Sequence, residues 1–253
     1  MNLLSATRLF LTSTAAGILL STACLDTGTA PVSLRLYVTG SDSNRFESDE
    51  GWSVTLDEAQ LALGTFTLCP AANAGSTCST AVAEWLGSTV VDALDPDEQL
   101  AGMLLGSEGI VRGFMYDLGI VSLTTNVRPL ELDAARALDG NSVRITGTAT
   151  LNSQTLNFEA SMPIFSQGGN GIGVPVRLSS AADDVNQELA DVDSLTLRFA
   201  AEDWLSNVSF DQLAAANCEQ DECPATLNFE PDTQAYRAFR LAVLANAPTF
   251  VWE

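Results

Sequence analysis

The chain has 253 residues, of which 46% are hydrophobic and 17% charged, a globular composition too apolar for a disordered chain. Eleven basic residues against 32 acidic ones leave a net charge of −21, so the clustered cations that nucleic-acid binding requires are missing. There is no His, and all the basic residues are Arg, which excludes imidazole bases and ligands, Ser-His-Asp and Cys-His pairs, Schiff-base lysines, P-loop and kinase lysines and Ser-Lys dyads. Any chemistry must come from carboxylates, Tyr, Ser, Cys or a bound metal.

At the start of the chain, Arg8 precedes a short apolar run from Leu9 to Leu20. Helical residues in that number rise only about 18 Å against a hydrocarbon core of about 30 Å, so residues 1–23 read as a signal peptide and not as a membrane span. No later stretch is continuously apolar over the length of a span, and the remainder is expected to be a water-soluble body. Directly after the run stands Leu20-Ser21-Thr22-Ala23-Cys24, which resembles the lipobox of bacterial lipoproteins. It departs from that pattern at Ser21, where the usual residue is Leu, with Leu20 one position further away. The resemblance, confined to residues 1–24, implies that the Cys24 thiol is lipidated, that the signal is cut off before it, and that the freed amine is acylated. Two or more acyl chains anchor stably where one does not. Lipidation also accounts for the odd residue among five cysteines. Ordinary secretion is the alternative, since Ser21 and Ala23 also satisfy the small-residue rule of soluble cleavage. Residues 24–31 then form the lipidated Cys and its tether, and the extended stretch from Leu25 to Pro31 reaches about 23 to 25 Å. In Gram-negative lipoproteins an inner-membrane retention signal carries Asp after the acceptor Cys. Leu25 at that place implies transfer to the outer membrane.

Period-2 patterns dominate the rest. Val32, Leu34, Leu36 and Val38 alternate with Ser33, Arg35, Tyr37 and Thr39, one face for a core and one for water. Trp52, Val54 and Leu56 repeat the pattern, followed by a turn at Asp57-Glu58 and a further strand from Ala59 to Leu68. Strands are expected at Thr89 to Leu94, Gly109 to Tyr116 and Gly119 to Thr124, with a short helical turn at Pro96 to Gly102. Val143 to Leu151 and Leu156 to Ile164 alternate strictly about Asn152-Ser153-Gln154-Thr155, which predicts a long hairpin. Gly168-Gly169-Asn170-Gly171 lacks the Lys of a phosphate cradle and reads as a loop leading into strand Val174 to Leu178, with another strand at Ser194 to Ala200. Asp211 to Ala216 suits a short helix, Thr233 to Ala245 a longer one ending before Pro248, and Thr249 to Trp252 a closing strand with Trp252 buried. With neither a solenoid repeat nor a low-complexity linker, residues 32–253 are expected to form a single mostly β domain. An antiparallel β-sandwich with one C-terminal helix is predicted, and a β-barrel plugged by that helix is the alternative.

Cys69 and Cys78 close one polar loop, and Cys218 and Cys223 another. In an oxidising compartment this spacing favours two local disulfides, with crossed pairing and a four-thiolate metal site as the alternatives; neither spacing is the Cys-x-x-Cys of zinc sites. Acidic clusters stand at Glu47, Asp49 and Glu50; at Asp92, Asp95, Asp97 and Glu98; at Asp183, Asp184, Glu188, Asp191 and Asp193; and at Glu219, Asp221 and Glu222. None fits an EF-hand loop, and a solvated surface explains them; Asp183 to Asp193 is the first choice for calcium. Trp52 and Trp252 sit on apolar stripes, whereas Trp85 and Trp204, beside Glu84 and Asp203, are the candidates for an exposed glycan-binding face. No catalytic residue, metal ligand or cofactor is assigned. The expected function is that of a lipid-anchored envelope protein acting as a non-enzymatic binding or structural module. Its partners would be the membrane, through the lipid, and an envelope protein or glycan, with no nucleic acid. A calcium-dependent binding protein and a carboxylate-dependent glycan hydrolase are the alternatives.

Overall fold

The computed structural model describes residues 29–70, 78, 80–119, 138, 140–163, 176–180, 186–218 and 223–253. In chain order the strands are β1 (Pro31–Thr39), β2 (Arg45–Glu47), β3 (Ser53–Cys69), β4 (Ala83–Trp85), β5 (Thr89–Asp92), β6 (Gln99–Ser107), β7 (Ile110–Val111), β8 (Gly113–Leu118), β9 (Asn141–Leu151), β10 (Gln154–Pro163), β11 (Val176–Ser180), β12 (Gln187–Glu188) and β13 (Ser194–Arg198). A 3-10 turn at Ala201–Trp204 and helix α1 (Phe210–Asn217) follow, then β14 (Leu227–Asn228), helix α2 (Gln234–Ala245) and β15 (Thr249–Trp252).

The alternation read from β1 is the one observed: Leu34, Leu36 and Val38 are buried while Ser33 and Arg35 face solvent. The hairpin is tighter than expected. Its ladder runs on through Thr155↔Thr150 and Gln154↔Leu151, leaving Asn152 and Ser153 alone as the turn, with Asn152 at φ 55°. Asn is among the few residues that tolerate that left-handed conformation. No turn interrupts the chain at Asp57-Glu58. β3 runs straight through, and the surplus residue is absorbed as a shift in register against β9 between Leu56 and Glu58, the signature of a bulge. The helical turn expected at Pro96 to Gly102 is absent too, because β6 already begins at Gln99. Ahead of it the Asp92 and Asp95 carboxylates accept from the backbone N–H of Leu94 and Asp97, closing two non-helical turns. The strand expected at Gly119 to Thr124 lies outside the described residues after Gly119, as does the Gly168 to Gly171 loop.

Hydrogen bonding joins the strands in the order β14-β10-β9-β3-β4-β6-β1-β13-β15, and β8 links β3 to β11. The sheet is mixed, since β1 pairs with β13, and β10 with β14, in parallel. β3 is the shared element: β9 pairs along Ser53–Leu61 and β8 along Leu63–Cys69, while β2, β5 and β4 take its opposite edge. From β3 to β15 the path takes five steps, which in a flat sheet would separate the two strands by about 24 Å. Yet the ring of Phe250 on β15 stands 6.2 Å from Phe66 on β3 and 4.5 Å from Phe114 on β8. The sheet therefore folds over on itself into two layers, one built on β10, β9, β3 and β8 and the other on β6, β1, β13 and β15. The path ends, β14 and β15, are not bonded to each other, so the architecture is the open sandwich and not the plugged barrel.

The fold-over demands very close approach where the layers join. A Cβ on Gly106 of β6 would lie 2.0 Å from the carbonyl oxygen of Val82, and one on Gly102 would meet the Trp85 indole at 2.3 Å. At the other end of the core, Phe158 of β10 packs on Phe210 of α1 at 5.3 Å and on Phe229 at 6.0 Å, and Phe229 meets Phe239 of α2 edge-on. Both helices start where hydroxyls cap them: Ser209 accepts from the Gln212 N–H and Thr233 from the Tyr236 N–H, each at 3.2 Å.

Candidate functional site

The cysteines fall into the two local pairs that their spacing favours. Cys69 at the end of β3 is bridged to Cys78, with Cα atoms 5.8 Å apart, and Cys218 at the end of α1 is bridged to Cys223, at 4.2 Å. Crossed pairing and a four-thiolate metal centre are thereby excluded. Each bridge pins a loop to the end of a regular element.

Among the described residues the acidic clusters do not converge. Asp49 and Glu50 sit in the exposed turn between β2 and β3, and Asp92 and Asp95 spend their carboxylates on the turns before β6. Glu98 accepts from the Thr196 hydroxyl at 3.3 Å. Of the segment favoured for calcium, Glu188 lies on β12 and Asp191 and Asp193 on the connection to β13, while Asp183 and Asp184 lie outside the described residues. The backbone of Asp193 is engaged in holding the C-terminus, its N–H donating to the Glu253 carbonyl at 2.7 Å. Glu219, Asp221 and Glu222 also lie outside the described residues. Among the described residues no group of three or more Cys, Asp or Glu side chains could hold a metal ion. Other carboxylates are used structurally. Arg144 of β9 stands 3.0 Å from Glu159 and 3.5 Å from Glu58, tying β9 to both of its neighbours. The hydrogen bond to Glu159 holds the guanidinium above its ordinary value despite some burial. Arg198 pairs with Asp42, and the Ser41 hydroxyl donates to Glu202 while accepting from the Ala201 N–H.

The aromatic residues expected at the surface are in the core. Trp85 is buried, its indole occupying the space above Gly87 and Gly102, and Trp204 is buried edge-on to Phe199 at 6.3 Å. The neighbouring acid was a misleading sign in both cases: Glu84 precedes Trp85 on a strand, where adjacent residues point to opposite faces, and Asp203 precedes Trp204 in the 3-10 turn, where only Ala201 and Trp204 are buried. Trp52 is buried as expected and donates from Nε1 to Asp211 Oδ1 at 3.2 Å. Trp252 is only half-buried, stacked on Phe250. Tyr116, deep in the core on β8, has its phenol pKa pushed above the ordinary 10.0 by burial.

What the body does present is an apolar sheet face, which sequence reasoning missed. Leu100, Met103 and Leu105 of β6 are 62%, 43% and 60% exposed, and Leu86, next after β4, is 59% exposed. Their register partners on β1 are Tyr37, Arg35 and Ser33, the outward positions of that strand. Val251 of β15, opposite Thr196, extends the same face. The signal was legible in principle: β6 carries Leu on both sides of its alternation, where a strand facing water on one side alternates apolar and polar.

No family model matches this chain, and no curated protein does. Among solved structures, the chain is similar to MbnP from Methylosinus trichosporium, with a TM-score of 0.40 and 11% sequence identity, over 89% of this chain and 99% of that one.

Proposed function

We propose that this chain is an exported protein of the bacterial cell envelope, lipid-anchored in the outer membrane of a Gram-negative cell, whose β-sandwich acts as a non-enzymatic binding or structural module. The observation that carries the reading is the pair of disulfides, Cys69–Cys78 and Cys218–Cys223. Such bridges persist in oxidising compartments outside the cytoplasm, which agrees with an N-terminal export signal. They also engage four of the five cysteines and leave Cys24, directly after the apolar run, as the thiol open to acylation. Leu25 supports outer-membrane sorting. The exposed apolar face on β6 supports a role in contact with another surface.

Metabolic labelling with palmitate tests this reading. The wild-type protein takes up label and its mature N-terminus carries the mass of an acylated Cys24, whereas Cys24→Ser takes up none. An unlabelled wild-type protein, or a mature chain starting elsewhere, refutes the anchor.

A further inference from the structure

We propose that the outward face of β6 and β1 lies flat against the bilayer in which Cys24 is anchored, so that the body is seated on the membrane and does not hang free on its tether. The inference rests on the lipid-anchor reading and adds to it an orientation and a contact surface.

Three observations converge on it. The first is the patch itself. Strand alternation and register place Leu105, Met103 and Leu100 outward on β6 beside Ser33, Arg35 and Tyr37 on β1, with Leu86 flanking and Val251 two strands beyond. Five of the seven large apolar residues exposed among the described residues thus share one face. Soluble bodies scatter such residues singly, and a contiguous patch marks a surface that something covers.

Charge supplies the second. Of those six outward positions one carries a cation and none a carboxylate, with Glu84 of β4, opposite Leu105, bringing an acid to the rim of the face. The single cation among the six, Arg35, stands 5.9 Å over the Tyr37 ring. An aromatic ring and a long cationic side chain at the margin of leucines is the arrangement that suits a headgroup region, with apolar parts inward and polar tips in water.

The third observation is where the chain enters the body. β1 begins at Pro31, paired with Ser107, and Ser33 stands opposite Leu105, so the tether leaves from the edge of the patch. Fully extended, the stretch from Leu25 to Pro31 reaches about 23 to 25 Å. That is less than the roughly 30 Å diameter of a small folded domain, so the surface within reach of this edge is lipid and not an interposed protein. From Leu105 to Leu100 the patch runs about 17 Å, a footprint that the short tether brings down onto the headgroups.

The test uses the full, processed protein reconstituted in phosphatidylethanolamine–phosphatidylglycerol vesicles whose acyl chains are brominated. Leu105→Trp, and in a second variant Met103→Trp, places a fluorophore on the face. Leu241→Trp places one on the exposed side of α2, which packs on the 3-10 turn, α1 and β10. The added fluorescence at positions 105 and 103 is expected to be quenched by bromolipid several times more than that at 241, and correspondingly less by aqueous iodide. Equal quenching at all three positions overturns the proposal. So does shielding of 105 from iodide without bromolipid quenching, which assigns the face to a second copy or another protein. The mass of the mature N-terminus is read on the same samples. An acylated Cys24 without face-specific quenching defeats this inference alone, whereas an unacylated protein defeats the anchor.

Discussion

The fold-over of the sheet makes a quantitative demand on two residues far apart along the hydrogen-bonded path. Phe114 on β8 is buried and faces three rings, Phe66 and Tyr116 at 6.1 Å and Phe250 at 4.5 Å. Truncating it to Ala removes the transfer energy of the ring and leaves a cavity between the two layers, an expected loss of about 3 to 5 kcal/mol. Phe250→Ala, at a half-buried site on an edge strand, costs less, about 1 to 3 kcal/mol. If the rings meet across the core, the double variant loses less than the sum, with a coupling of about 0.5 to 1.5 kcal/mol, the range for a packed aromatic pair. The assay is equilibrium urea unfolding without reductant, followed by far-UV dichroism and tryptophan fluorescence, with an unchanged m-value required of each variant. Phe114→Ala combined with Phe239→Ala, in the separate aromatic cluster on α2, serves as the control and is expected to be additive to within about 0.5 kcal/mol. Additivity of the Phe114 and Phe250 pair would mean that β15 does not lie over β8, and the two-layer arrangement would fall with it.

Two further outcomes follow from particular contacts. Gly106→Val drives a branched side chain into the backbone at Val82 and Ala83, so it is expected to lower stability by about 1 to 3 kcal/mol or more, read as a drop in Tm, with loss of the β4–β6 pairing in hydrogen exchange. Burial holds the Tyr116 phenol above its ordinary 10.0, so the folded protein keeps a proton that the unfolded chain gives up. Its contribution is complete below pH 10 and is lost as pH rises toward the folded pKa, at about 1.4 kcal/mol per pH unit. Urea midpoints between pH 9 and 11 should fall less steeply for Tyr116→Phe than for the wild type; identical slopes would contradict the assignment.

The parts of this fold that were legible in the sequence are those whose patterns are local. β1 and the β9–β10 hairpin announce themselves by strict alternation, α2 by its Thr233 cap and the Pro248 that follows it, and the disulfides by short loops between paired cysteines. The failures have a common cause in surroundings the local pattern does not contain. Asp57-Glu58 looks like a turn because two acids in a row break the alternation, but a bulge lets β3 carry both. β6 escaped notice because its outer face is apolar and its glycines, Gly102 and Gly106, are required by Trp85 and by the backbone of Val82 and Ala83. Both departures from a half-solvated strand are set by tertiary structure. The same blindness hid the candidate face, since an outward Leu differs from an inward one only through what stands opposite.

The parallel pairing of β1 with β13 sets the order in which this molecule can be completed. Arg35 finds its register partner at Ser194, 159 positions later in the chain. At ribosomal rates of about 5 to 20 residues per second the first strand waits roughly 8 to 32 s for that partner to be made. Loop closure over such a span is entropically slow as well. β6 reaches β1 sooner, since Met103 stands opposite Arg35, so an antiparallel pair precedes the parallel seam to β13. Only the β13–β15 pair, which needs Thr249–Trp252, has to wait longer than that parallel seam among the neighbours of β1 and β13.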